Sequence, residues 1–314
     1  MKGYLIKRVM YLIPVMLGVS IITFALINLV PGDPAEIILR AGGVEPTLEA
    51  VEVQREELGL NDPVYVRYGK WLWNILHLDF GQSFRTGHPV SQEIIDRFPA
   101  TLELALAGML VMLSVSFPVG ILAAIYKNTV MDHLSRVVAL LGASLPSFWL
   151  GLLLIYYLSV QLGLFPVMGR GGWSHRMLPA LTLGLGMAAT YARLLRASMV
   201  EVLGQDYIQA ARARGLKERV VILQNALKNA LLPVVTAFGM SFGHLLGGTV
   251  IVETVFAWPG MGKFLVDAIF NRDYPVVQGY VLFMAFVFVF ANLAVDISYH
   301  FLDPRIRLER GRSG

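Results

Sequence analysis

Cysteine is missing from this 314-residue chain, and charged side chains make up only 15% of it. The first absence excludes disulfides, thiolate metal sites and cysteine nucleophiles, and leaves the redox compartment unread. The second leaves little to solvate a soluble surface, and the 56% hydrophobic share points to lipid. A G-x-x-x-x-G-K-[ST] phosphate loop is also missing: Gly69-Lys70 and Gly262-Lys263 lack both the preceding glycine spacing and the following Ser or Thr. His77, His88, His133, His175 and His300 are scattered with no H-x-x-x-H spacing, so neither a metal site nor a cofactor is expected. No nucleophile and base converge in the sequence, so no catalytic residue is expected either. The formal net charge of +4 comes without a basic cluster interleaved with aromatics, which argues against nucleic acid as a partner.

What is present is apolar length. A hydrocarbon core of about 30 Å takes roughly 20 apolar residues per helix, and runs of that kind fall at 9–30, 100–126, 134–160, 177–195, 230–252 and 276–301. An all-α polytopic membrane protein with six transmembrane helices is therefore expected. The first run is read as a span rather than a secretory leader, because it exceeds an h-region of about 7–15 residues and lacks a small-x-small cleavage site. A cytoplasmic N-terminus puts most Lys and Arg inside, among them Lys7, Arg8, Lys127, Arg136, Arg193, Arg196, Arg212, Arg214 and Arg305. Both termini are then expected in the cytoplasm.

On that topology the long segment 31–99 is external and folded. Two regions are expected: 1–99, the first helix with this external segment, and 100–314, the core transmembrane domain with a cytoplasmic loop near 201–229. After Pro63, the residues Val64, Tyr65, Tyr68, Trp71, Leu72, Ile75 and Leu76 recur at helical spacing and form one apolar face. Packing on the membrane surface is the plainer reading of that face, a substrate platform the other. Pro14, Pro118, Pro146, Pro179 and Pro233 mark helices able to bend or break. Gly184 and Gly186, with Gly243, Gly247 and Gly248, suit close approach of helix backbones.

The most informative polar stretch runs from Gly204 to Pro233. Asp206 to Arg214 reads as a short helix, with Gly215 placed for a left-handed terminus and Leu216 folding back toward Ala211. A second helix starts near Lys217, with Val220, Leu223 and Leu227 on its apolar face. Ala210 and Ala211 permit close approach of a partner's groove, and Arg212 and Arg214 offer charge-assisted contacts.

Gln209-Ala210-Ala211-x-x-x-Gly215, ending in Leu232-Pro233, resembles the coupling signature of ABC importer permeases, with Gln209 where the signature has Glu. The resemblance extends along the chain. Pro31-Gly32-Asp33-Pro34, Leu78-Asp79-Phe80-Gly81-x-Ser83-Phe84, Pro99-Ala100-Thr101-Leu102-Glu103-Leu104, Ala192-Arg193-Leu194-Leu195-Arg196-Ala197-Ser198-Met199, Glu253-Thr254-Val255-Phe256-x-Trp258-Pro259-Gly260-x-Gly262, Asn271-Arg272-Asp273-Tyr274-Pro275 and Leu302-Asp303-Pro304 are similar to the peptide/nickel branch of that family. The resemblance implies the ABC permease fold, a second paralogous permease subunit, two ATP-binding subunits and an extracytoplasmic solute-binding protein around a pathway in the bacterial inner membrane. It implies coupling to the ATPase through Gln209, Ala210, Ala211, Arg212, Arg214 and Gly215. Leu76 to Gly81, Gly171 to His175 and Phe256 to Gly260 look closer to nickel permeases, so nickel or a nickel chelate is the expected cargo and di- or oligopeptides the alternative.

Three residues, His244, Glu253 and Trp258, are candidates for the pathway. His244 lies inside the fifth apolar run, as a transient ligand or a cross-helix hydrogen bond. Glu253 closes that run at the outer mouth and either attracts a cation or caps the turn at Trp258. Asn292 and Asp296 lie one turn apart in the last run and are expected to face other helices. A secondary transporter is a remoter alternative; it would favour inverted repeats and midplane ionisable groups over a specific cytoplasmic loop.

Overall fold

In the computed structural model the described backbone covers residues 2–302, with side chains described for 10–40, 42–239, 243, 245, 247 and 249–293. Named strands are absent among the described residues, and the elements are helices in the order α1 (Lys2–Leu29), α2 (Pro34–Ala41), α3 (Leu48–Glu57), α4 (Val64–Leu76), α5 (Val90–Ile125), α6 (Val130–Ser144), α7 (Ser147–Leu154), α8 (Trp173–Leu203), α9 (Asp206–Ala213), α10 (Glu218–Val220), α11 (Leu227–Val255), α12 (Met261–Phe270) and α13 (Tyr274–Leu302). Among the described residues five helices are long and apolar enough to cross a membrane, and Val130–Ser144 with Ser147–Gln161, which meet at 103°, make a sixth when the bent pair counts as one span.

That break falls at Pro146, one of the prolines expected to bend or break a helix within the run over 134–160. Pro146 has no N–H to donate and its ring biases the preceding residue out of the helical region, and Leu145 is accordingly extended at φ −80°, ψ 126°. The remaining prolines behave otherwise: Pro14, Pro179 and Pro233 stay inside uninterrupted helices. Past the break, Ile155–Gln161 winds as a π-helix.

The chain divides into two compact units, one of Met1–Pro99 with Lys263–Leu293, the other of Ala100–Gly262 with Ala294–Gly314. In the first unit, α4 packs on α1 through Tyr68, whose hydroxyl lies 2.8 Å from Ser20 Oγ, and through the Phe24 ring, 5.3 Å from Tyr68 and 5.5 Å from Trp71. Tyr65 and Leu76, assigned by periodicity to the same face, are 77% and 70% exposed. The aromatic i, i+3 pair at 68 and 71 takes the contact, leaving the flanks of the stripe outward. Asp273 ties two loops in this unit, accepting from Ser83 Oγ at 2.5 Å and from the backbone N–H groups of Phe84 and Arg85.

In the second unit α5 and α8 approach backbone to backbone. A Cβ on Gly184 would lie 2.5 Å from the Gly108 carbonyl oxygen, and one on Gly120 would lie 2.9 Å from that of Ala192. Gly184 thus has the close approach its residue type suggested, whereas a Cβ at Gly186 or Gly247 would meet nothing within 4 Å. Beside the α5–α8 seam lies a buried cluster of Met112, Ala188, Tyr191, Leu195, Met199, Ile208, Ala211, Val221, Ala226 and Ala230. Packing of this kind, not exclusion of water, is what joins helices within lipid.

Candidate functional site

Helix α9 begins directly after α8 and closes with a backbone pattern that the sequence anticipates. Gly215 has φ +78°, its N–H donates to Arg212 O at 2.9 Å, and Leu216 N–H donates to Ala211 O at 3.4 Å. These are the paired bonds of a left-handed helix terminus, which a residue with a Cβ enters at a cost. Ile208 and Ala211, three apart on one face, are 0% and 1% exposed and sit in the cluster with Leu195 and Met199. Gln209, Ala210, Arg212 and Arg214 are exposed.

Two expectations change here. Ala211 is not available to a partner's groove, because the helical period puts it beside Ile208 on the buried face. Arg212 is already engaged: its Nε and Nη2 donate to the Glu218 carboxylate at 3.2 and 2.6 Å, a bidentate pair that raises the Arg212 pKa above its ordinary value. The exposed surface that remains is Gln209, Ala210 and Arg214. The apolar face read at Val220, Leu223 and Leu227 is also displaced. Val221–Ala226 is π-helical, and its wider turn brings Val221 and Ala226, five residues apart, to the buried side while Leu223 is 45% exposed.

The C-terminal half of α8 carries an ion pair that sequence reading missed. Asp132, at the start of α6, is 0% exposed and accepts from Arg196 Nε and Nη2 at 2.6 and 2.7 Å and from the Asn128 N–H at 2.9 Å. Arg136 lies 3.7 Å away. The available signal was a lone carboxylate at the mouth of one apolar run and an arginine at the same depth of another, separated by 64 residues.

At the other end of the unit, Glu253 in the last turn of α11 is fully buried. Its carboxylate accepts from Thr101 Oγ1 and from the Gly262 N–H, both at 2.7 Å, while Thr101 Oγ1 accepts from the Met261 N–H at 2.8 Å. Trp258, also 0% exposed, donates its indole N–H to Ala100 O at 2.9 Å and its backbone N–H to Glu253 O at 2.8 Å. A Cβ on Gly260 would collide with the Glu253 carboxylate, and one on Gly262 would sit 2.5 Å from Val250 Cα. The Glu253-to-Gly262 motif is therefore a folded knot in which two glycines admit a buried acid. Of the two readings of Glu253, capping of the turn is the one its geometry performs.

The knot reaches the surface through Arg170. The Gly169 N–H donates to Phe256 O at 2.8 Å, which holds the 162–172 loop against the turn. Arg170 then donates from Nε and Nη2 to Glu103 Oε2 at 3.2 and 2.7 Å, with its guanidinium carbon 5.9 Å from the Trp258 ring centre. Arg176, from the first turn of α8, pairs with the other Glu103 oxygen. Trp258 thus supports a charged cluster from below. The side chains of His244 and Asp296 lie outside the described residues. Among the described residues no group of three or more His, Asp or Glu is placed to hold a metal ion.

The comparisons account for the whole length. Residues 116–308 match the family described as the binding-protein-dependent transport system inner membrane component, and residues 1–105 match the N-terminal part of such membrane components. The glutathione transport system permease protein GsiC of Escherichia coli (strain K12) is 43% identical over 98% of this chain and 99% of its own length. Its counterpart in Salmonella paratyphi A is 42% identical over the same shares. Inward-facing structures of the MetNI methionine ABC transporter share the fold, at a TM-score of 0.56 and 19% identity over 67% of this chain and 96% of theirs. ATP hydrolysis in such importers is a task of partner subunits, consistent with the missing phosphate loop. By its apolar helices, its short helix over Asp206–Ala213 and these matches, the chain belongs to the binding-protein-dependent inner-membrane components, the permease subunits of ABC importers.

Proposed function

We propose that this permease, paired with a second paralogous permease, two ATP-binding subunits and an extracytoplasmic solute-binding protein, imports small peptides of the glutathione kind across the bacterial inner membrane. Both termini lie in the cytoplasm on this reading, as the Lys and Arg distribution requires. The observation that carries the substrate class is the end-to-end similarity to glutathione permeases. Electrostatics agrees. Arg170 and Arg176 against Glu103 leave the outer cluster one positive charge in excess, which repels a bare divalent cation at ~6 Å by about 1 kcal/mol in a water-filled vestibule. Nickel or a nickel chelate, suggested by segments 76–81 and 256–260, is the reading the assay below separates.

Coupling follows from how α9 is seated. ATP-driven movement of the partner pushes on Gln209, Ala210 and Arg214. Because Ile208 and Ala211 are packed against Leu195 and Met199, the push passes into α8 without slack. Arg196, on the same helix, carries it to α6 through Asp132. His244, Glu253 and Trp258 were the pathway candidates; on this reading Glu253 and Trp258 act from behind the pathway, as supports of Arg170.

The test is uptake by the full importer reconstituted in proteoliposomes, with its binding protein, using labelled glutathione, labelled dipeptide and labelled nickel. ATP-dependent accumulation of peptide without nickel is the expected result. Nickel accumulation with no peptide uptake refutes the substrate class while leaving the machine intact.

A further inference from the structure

We propose that Arg170 and Arg176 form a carboxylate-binding clamp at the outer mouth, with Glu103 as the internal carboxylate that occupies it until substrate arrives. The inference rests on the peptide-import reading for its cargo and on the cytoplasmic N-terminus for its side of the membrane. Its geometry stands apart from both. Two guanidinium groups converge on one carboxylate, each engaging a different oxygen. Arg170 hydrogen-bonds through Nε and Nη2, Arg176 pairs through Nε in an ion contact, and the two side chains are 39% and 46% exposed, which leaves further N–H donors on both forks. Glu103 is 22% exposed and lies beneath them.

The cluster is built rather than casual. A surface pair of two long side chains ordinarily loses to rotamer freedom, but Arg170 is restrained on three sides. Its backbone follows Gly169, which is pinned to Phe256 O. Its guanidinium lies over Trp258, which is itself immobilised by the Glu253 knot. Its Nε and Nη2 are bound to Glu103. A planar fork held this way is pre-organised for a second carboxylate, since planar bidentate pairing is what the guanidinium does best. One acid against two bases also leaves one charge unmatched, and an incoming carboxylate matches it. Glu103 then has two uses: it keeps the arginines apart and aligned when the site is empty, and it competes with the substrate so that release remains possible, as a conduction pathway requires.

The competition makes a prediction of sign that a purely structural tie does not. The assembled importer in phosphatidylcholine nanodiscs, without binding protein, is titrated by saturation-transfer NMR with dialanine and dialanine amide, and with glutathione and its diethyl ester, in which both carboxylates are blocked. Wild type is expected to hold each free acid about tenfold tighter than its blocked form. Arg170→Gln with Arg176→Gln is expected to erase that preference with the blocked forms unaffected, and Arg170→Lys with Arg176→Lys to retain part of it. Glu103→Gln is expected to tighten the free acids. Equal binding of acid and amide by wild type overturns the clamp. So does weaker acid binding by Glu103→Gln, which is the result a structural salt bridge gives. Disappearance of the acid preference when phosphatidylglycerol replaces phosphatidylcholine assigns the arginines to anionic lipid headgroups and also overturns it. A wild-type complex that transports peptide but shows no acid preference removes the clamp alone, whereas acid preference without peptide uptake removes the import reading and leaves the clamp standing.

Discussion

Replacing Asp132 with alanine removes the buried carboxylate that joins α6 to α8 and strands a guanidinium that was bonded to it twice. The magnitude can be worked from its surroundings. Removing one partner of a buried ion pair costs about 3–5 kcal/mol, because the survivor is left charged and unpaired. Asp132 is 0% exposed, but Arg196 keeps 20% of its side chain in solvent and recovers some hydration, which favours the lower end, about 3 kcal/mol. At roughly 2–4 °C per kcal/mol this lowers the unfolding midpoint by about 6–12 °C. The Asn128 N–H loses its acceptor as well, and Asn128 sits at φ +64°, so the 127–129 turn loosens in the same variant. The assay is thermal unfolding of the assembled importer in nanodiscs, run as a double-mutant cycle with Arg196→Met. Asp132→Ala with Arg196→Met is expected to be more stable than Asp132→Ala alone, since no charge is stranded. Transport should separate from stability: the double variant folds, yet transmits nucleotide binding to α6 poorly. A coupling energy below about 0.5 kcal/mol, the ordinary additivity of distant sites, would refute the assignment of the pair as the joint between these helices.

Three further outcomes follow from the same geometry. Arg214→Glu is expected to reduce ATPase stimulation by loaded binding protein several-fold with little change in stability, whereas Arg212→Glu places two acids together at Glu218 and also weakens the turn after α9; copurification of the ATPase subunits distinguishes the two. Gly260→Ala drives a methyl group into the Glu253 carboxylate and is expected to lose about 1–3 kcal/mol, read as a lowered midpoint, while Pro259→Ala beside it is tolerated. Asp273→Ala releases Ser83 and the Phe84 and Arg85 N–H groups together, so trypsin cleavage after Arg85 in nanodiscs should accelerate markedly; unchanged cleavage would show that the 81–89 loop is held by something other than Asp273.

Membrane class, the long apolar helices and the short helix over 206–213 were legible in the sequence because each rests on a local physical rule. Apolar length reports a bilayer. The run from Asp206 to Gly215 contains its own start and stop, so its helix and its left-handed terminus needed no tertiary information. Pro146 was recognised as a place to bend, but the 103° break depends on what the flanking helices pack against.

What the sequence by itself determined, then, is the set of helices and their exposure to lipid, since hydropathy and backbone stereochemistry act over a few neighbouring residues. Tertiary structure alone decided the partners of the buried charges. Asp132 and Arg196 are separated by 64 residues, Thr101 and Glu253 by 152, and Glu103 and Arg170 by 67, and no periodicity links such positions. It also decided that Ala211 faces inward and that Val221 replaces Val220 at the core, because a π-helical turn rewrites the 3.6-residue period on which the sequence reading relied. Local rules place a side chain on a helix; a charge is neutralised only where two distant segments meet.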